Sequence, residues 1–115
     1  MQKETIFEMN EVIARFMALE ERHDEWRAPH PTLVFLYDNA WTPVPRLKYH
    51  SSWDWIIPVW IKFRKLELDN KYFSEWCNSL SWYLYSSDEP SRFAERLYYA
   101  IQWYNKYSNS YSNLC

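Results

Sequence analysis

Apolar side chains return at three- and four-residue intervals at the start of the chain. Ile6, Met9, Ile13, Phe16 and Met17 fall on one stripe that only Glu20 breaks. That period predicts an amphipathic helix over residues 5–21. Thr5 followed by Glu8 fits a capping box, and the charged stretch 20–27 with Pro29 and Pro31 ends the helix. The run Thr32-Leu33-Val34-Phe35-Leu36-Tyr37 predicts a strand over 32–37. Asp38-Asn39 closes it as a turn, and Thr42-Pro43-Val44-Pro45 is an extended connection. A second helix is expected from Ser51 or Ser52 to about Leu66, with Ser51 and Asp54 as a cap pair. Pro58 is its difficulty: the cost is small if the cap lies nearer Asp54, and otherwise the helix kinks. Leu80, Trp82 and Leu84 alternate with Ser81, Tyr83 and Tyr85, the period of a strand over 80–85. A preceding strand over 71–76 would join it through Cys77-Asn78-Ser79. The last helix is capped by Ser87 or Asp88, carries Pro90 in its first turn, and buries Phe93, Leu97, Ala100, Ile101 and Tyr104. This order predicts an α+β fold, a small layered domain with three helices packed on a short, mainly antiparallel sheet. One domain would span 1–107, with a polar, frayed tail over 108–115.

Composition sharpens the picture. The 115 residues include eight Trp, ten Tyr and six Phe, and no glycine. Such an aromatic load excludes a disordered chain. The missing glycine excludes the phosphate-binding P-loop, the dinucleotide-binding turn and the nucleophile elbow, each of which needs a tight, Gly-dependent backbone. Asn39, Asn70 and Asn78 are the expected stand-ins where φ must be positive. Two cysteines, Cys77 and Cys115, are too few and too far apart for a disulfide framework, so two free thiols are expected. The N-terminus lacks a secretory layout, and the apolar run over 55–61 is far too short to span a bilayer. A soluble, cytoplasmic protein is the expectation.

Charge is unevenly placed. The net charge is −2, yet residues 41–65 hold Arg46, Lys48, Lys62, Arg64 and Lys65 against Asp54 alone. A local basic segment in a mildly acidic chain fits one anion site better than a nucleic-acid polymer. Arg46, Lys48, Tyr49, His50, Ser52 and Trp53 combine cations, imidazole, hydroxyl and ring faces where a helix N-terminus presents free N–H groups, with Arg64 closing the rim. The competing reading makes Tyr49, Trp53 and Trp55 core and the serines caps. His23, His30 and His50 lack metal-ligand spacing, so no metal and no cofactor are expected. His23-Asp24-Glu25 reads as an acid–base cluster or, because adjacent residues on a helix end point apart, as a solvated charge cluster; Cys77 and His50 make a nucleophile pair only if the fold brings them together. Neither makes a catalytic constellation from sequence, and the chain reads as a non-enzyme.

Three segments carry a resemblance: Asn10-Glu11-Val12-Ile13-Ala14-Arg15-Phe16-Met17, Leu47-Lys48-Tyr49-His50-Ser51-Ser52-Trp53-Asp54-Trp55-Ile56-Ile57-Pro58-Val59, and Ala100-Ile101-Gln102-Trp103-Tyr104-Asn105. In this order they resemble a family of short uncharacterised proteins of Bacteroidetes phages and prophages, with a YHxSWDWLxPV motif and a C-terminal KWYN-like helix. The resemblance implies a phage origin and a layered α/β fold, and carries over no catalytic residue. Where the family pattern has a small apolar and then an acidic residue after Pro58-Val59, this chain has Trp60 and Ile61. The second helix is then apolar nearly all round, which points to a homo-oligomer interface at Trp55, Val59, Trp60 and Ile61.

The functional expectation is a phage accessory, counter-defence protein that sequesters a small anionic ligand, such as a host nucleotide immune signal, in the cytoplasm of the infected cell. The alternative is a protein-binding inhibitor or assembly factor acting through an aromatic interface. Should the basic segment not be the site, Tyr83 and Tyr85 are the next place to look.

Overall fold

Phe35, Met9 and Ile13 anchor one hydrophobic core, and Phe93, Phe63 and Leu80 another. The computed structural model describes residues 3–24 and 32–113, and its backbone divides into two compact units, Met1–Lys48 and Tyr49–Cys115. The class is α+β, with four α-helices and a three-stranded antiparallel sheet among the described residues.

In the first unit α1 (Lys3–Phe16) buries Met9, Asn10, Ile13 and Ala14. The helix starts before Thr5, which is therefore not its cap, and it stops at Phe16 rather than near Glu21. The stop is a Schellman turn: Ala18 N–H donates to Arg15 O at 3.0 Å and Leu19 N–H to Ala14 O at 3.1 Å. Ala18 sits at φ 59°, a conformation usually left to glycine. The charged residues that follow form β1 (Glu21–Asp24), not a helix end. It pairs antiparallel with β2 (Thr32–Tyr37), the strand expected at 32–37. Asp38 and Asn39, at φ 49° and 65°, make the two-residue turn into β3 (Ala40–Pro43), pairing Tyr37 with Ala40. Positive φ at both central residues is the type I′ geometry that matches strand twist. A 3₁₀ turn, Val44–Arg46, follows. Asn10 ties it to α1 by donating from Nδ2 to Val44 O (3.3 Å) and Leu47 O (3.0 Å). Arg15 pairs with Glu11 and Glu21 at 2.9 and 3.0 Å, but half-exposed pairs of this kind add little stability.

The second unit is helical. In α2 (Trp53–Arg64) Ser52 is the cap residue, without a side-chain cap bond, and Pro58 falls in the second turn on the exposed side. Residues 71–86 form one helix, α3 (Lys71–Ser86), so the two expected strands at 71–76 and 80–85 are corrected. Asn70 starts it: Oδ1 accepts from Tyr72 N–H at 2.8 Å and Phe73 N–H at 3.3 Å. Neither Asn70, at φ −153°, nor Asn78, inside α3, substitutes for glycine. The apparent alternation does not hold in space, because Leu80 is buried while Trp82 is 64% exposed. The buried and half-buried positions Phe73, Trp76, Cys77, Leu80 and Leu84 follow the helical period instead. Among the described residues the sheet thus draws its strands from the first 48 positions, and the α-helices number four rather than three.

α4 (Pro90–Asn113) begins at Pro90 and continues through the polar stretch 108–113 that composition reads as a tail. Its inner face, Phe93, Ala94, Leu97, Tyr98, Ala100 and Ile101, is fully or almost fully buried, and both α2 and α3 pack on it. Phe93 meets Trp53 and Trp60 at ring distances of 5.9 and 6.0 Å, and Phe63 meets Phe73 at 5.3 Å.

Because Ala18 holds a left-handed backbone that costs a residue with Cβ about 1–2 kcal/mol, Ala18→Gly relieves strain. Part of that gain is lost to the greater freedom of the unfolded chain, leaving a net stabilisation of ~0.5–1 kcal/mol. The melting temperature is expected to rise by a few degrees; a fall would contradict the assigned turn.

Candidate functional site

The residues singled out in the basic segment meet different fates. Arg46 and Lys48 are exposed and belong to the first unit, while Tyr49, His50, Ser52, Trp53 and Arg64 belong to the second. Tyr49 is 1% exposed and meets Trp55 edge-on at 5.3 Å, so it is core and offers no face to a ring. Trp53 is half-buried against Phe93. Arg64 is at the opposite end of α2 from Ser52, about 18 Å along the axis at 1.5 Å per residue, too far to close one rim with it. Two of the four residues expected at an oligomer surface are taken by the chain's own core. Val59 and Trp60 are buried within a single chain, Trp55 and Ile61 are half-buried, and Asp54, Pro58 and Arg64 hold the exposed side of α2. A small helical unit does enclose most of this helix, because Phe93 of α4 packs on its Trp53 and Trp60 and Phe73 of α3 on its Phe63.

The chemistry gathers instead where α3 meets α4. Because α4 commits its inner face to the core, Arg92, Arg96 and Tyr99 are left exposed on one side at four- and three-residue spacing, with Glu95 half-buried between them. Across from them stands Tyr83 of α3, and these five residues line a cleft of about 380 Å³. The Arg96 guanidinium carbon lies 4.7 Å from the Tyr83 ring centroid, in cation–π range. Tyr99 Oη is 3.5 Å from Glu95 Oε1. Among the described residues neither Arg92 nor Arg96 makes an ion pair. Arg92 also borders a smaller cavity of about 130 Å³ with Ser86, Asp88 and Glu89. A third cleft, of about 470 Å³, is lined by Trp53, Ile57, Leu84, Ser87 and Asp88. Trp53, one of the expected site residues, therefore borders an accessible space, though one without a cation.

Two guanidinium groups one helical turn apart can bracket a phosphate or carboxylate, while tyrosine faces accept a planar ring. Glu95 is placed to accept from a hydroxyl or amino group. The Arg92-x-x-Glu95-Arg96-x-x-Tyr99 stripe was readable in the sequence as the polar side of α4. Its convergence with Tyr83 was not, because residues 80–85 read as a strand.

Acid–base and nucleophilic chemistry find little footing. Burial pushes the Cys77 thiol up and His50 down from their ordinary values, so the first is held protonated and the second neutral. An activated thiolate–imidazolium pair needs the opposite shifts. His23 is exposed on β1, and Glu25 and His30 lie outside the described residues. Among the described residues no group of three His, Cys, Asp or Glu side chains could hold a metal ion.

His50 Nδ1 is buried without a hydrogen-bond partner, which adds to the cost of charging the ring. The unfolded chain takes up that proton near the ordinary 6.5, and the folded one only at lower pH. Stability is therefore expected to fall as pH drops through 6.5, and His50→Gln to flatten that fall. Urea unfolding midpoints on either side of pH 6.5 measure it; an equal slope in both proteins would contradict the assignment.

The chain matches no known protein family, no curated protein and no solved structure.

Proposed function

We propose that the chain is a binding module that captures a small anionic ligand bearing a planar ring, of the nucleotide kind, in the α3–α4 cleft. The observation that carries this reading is the pair Arg92 and Arg96, without ion-pair partners among the described residues, sharing one cleft with Tyr83 and Tyr99. Its volume of about 380 Å³ lies in the range of small-molecule sites, ~300–1,000 Å³. Guanidinium groups take the anion, tyrosine faces take the ring, and Glu95 takes a hydroxyl or exocyclic amine. With Cys77 held as a thiol and His50 uncharged, the reading is sequestration rather than turnover. The resemblance to short phage proteins supplies the setting: capture of a host nucleotide immune signal in the cytoplasm of an infected bacterium. No helix among the described residues is long and apolar enough to cross a membrane.

A second reading, a protein-binding inhibitor or assembly factor, is favoured by one separate observation: Trp82 and Tyr85 stand 64% and 92% exposed on α3.

A thermal-shift screen with cyclic dinucleotides, cyclic trinucleotides and ADP-ribose derivatives tests the ligand reading. At least one ligand is expected to raise the melting temperature. Arg92→Ala and Arg96→Ala should each weaken it roughly ten- to hundredfold, the scale of losing a hydrogen bond to a charged group, about 1.5–3 kcal/mol. Arg46→Ala and Lys48→Ala should bind as the parent does. An unmoved melting temperature throughout, or loss of binding in the Arg46 and Lys48 variants alone, contradicts the site.

A further inference from the structure

The outward side of α3 has the layout of a helix–helix seam. Lys71, Glu75, Asn78, Trp82 and Tyr85 are all exposed, and they follow one another at intervals of four, three, four and three residues. That is the 3.5-residue period by which two helices face each other over successive turns. The opposite side of the same helix, with Phe73 and Leu80, is already spent on the core. From Trp76 to Ser87 the chain carries no charged side chain, so Trp82 and Tyr85 stand in solvent without the flanking charges that usually isolate an exposed ring.

We propose that this face pairs with the same face of a second copy of the chain, antiparallel, about a two-fold axis passing beside Asn78. The stripe is complementary to itself only in that sense. A two-fold at Asn78 sets Lys71 against Tyr85 of the second copy and Glu75 against its Trp82. The first pair is a cation over a ring, and the second gives the indole N–H a carboxylate acceptor. A parallel pairing in register opposes Lys71 to Lys71 and Glu75 to Glu75. Asn78 at the centre is the polar seam position that fixes register in paired helices. Four rings, each burying on the order of 150–250 Å² when covered, supply at most roughly 600–1,000 Å² of the roughly 1,200 Å² at which stable interfaces begin, so the Lys71, Glu75 and Asn78 side chains of both copies must also be covered. With one lysine on the whole helix, the face lacks the cations that a nucleic-acid strand or an anionic membrane surface requires.

Sedimentation equilibrium of the intact chain at tens of micromolar should give twice its 14.3 kDa mass. The double substitution Trp82→Ala, Tyr85→Ala removes two rings that are 64% and 92% exposed, together with the edge-on contact of Trp82 to Tyr83 at 5.1 Å. It should halve the mass while leaving the far-UV circular dichroism unchanged. Asn78→Cys should form a disulfide-linked dimer under mild oxidation. Lys71→Cys should not, because the two copies of residue 71 lie about 21 Å apart along antiparallel helices. A monomeric parent or a double variant that stays dimeric overturns the proposal. Cross-linking through residue 71, or none through residue 78, overturns the antiparallel register.

Discussion

Within the helical unit everything rests on the inner face of α4. Phe93, Ala94, Leu97, Tyr98, Ala100 and Ile101 are withdrawn from water, and the Phe93 ring is the point on which Trp53 and Trp60 both bear. Small residues at 94 and 100 let the neighbouring helices approach, and large ones at 93, 97 and 98 fill what the approach leaves. Fixing the inner face fixes the outer one. A helix cannot bury 93, 97 and 101 without aiming 92, 96 and 99 elsewhere. The arginine pair therefore owes its position to a hydrophobic constraint on the far side of the same helix.

The same economy appears in α3. Its inner side packs, its edge residue Tyr83 meets Arg96, and its outer side leaves Trp82 and Tyr85 in solvent. The ligand reading uses the edge and the dimer reading the outer stripe, so the two do not compete for side chains. A chain with this many rings fills two cores and has enough left to furnish a site and a contact face.

Much of this architecture is written in short stretches of sequence. The strand at 32–37, its Asp38-Asn39 turn and the stripe of α4 followed directly from local chemistry, because each carries its signal within a few residues. α3 did not. Six residues from Leu80 to Tyr85 satisfy a period of two by chance, and Cys77-Asn78-Ser79 resembles a turn until Asn70 is seen capping a helix that runs through it. β1 was hidden because Glu21-Arg22-His23-Asp24 has no strand-forming residue; its pairing with β2 makes it a strand. The glycine-free backbone placed positive φ at Ala18 and Glu67, where side-chain type gave no warning. The rings of the basic segment are hard to read for a different reason. Tyr49 and Trp53 look like ring-stacking residues in sequence, but burial decides their role, and burial is a tertiary property. Tyr83 ranks behind the basic segment in sequence, because its meeting with Arg96 depends on α3 and α4 lying side by side.

If the outer side of α4 is the working surface, a nucleotide that raises the melting temperature must touch it, and backbone amide NMR during titration with that nucleotide reads this residue by residue. Shifts are expected to concentrate at Tyr83, Arg92, Glu95, Arg96 and Tyr99, with Arg46, Lys48 and His50 unmoved. Shifts confined to residues 46–53, with α4 silent, would contradict it.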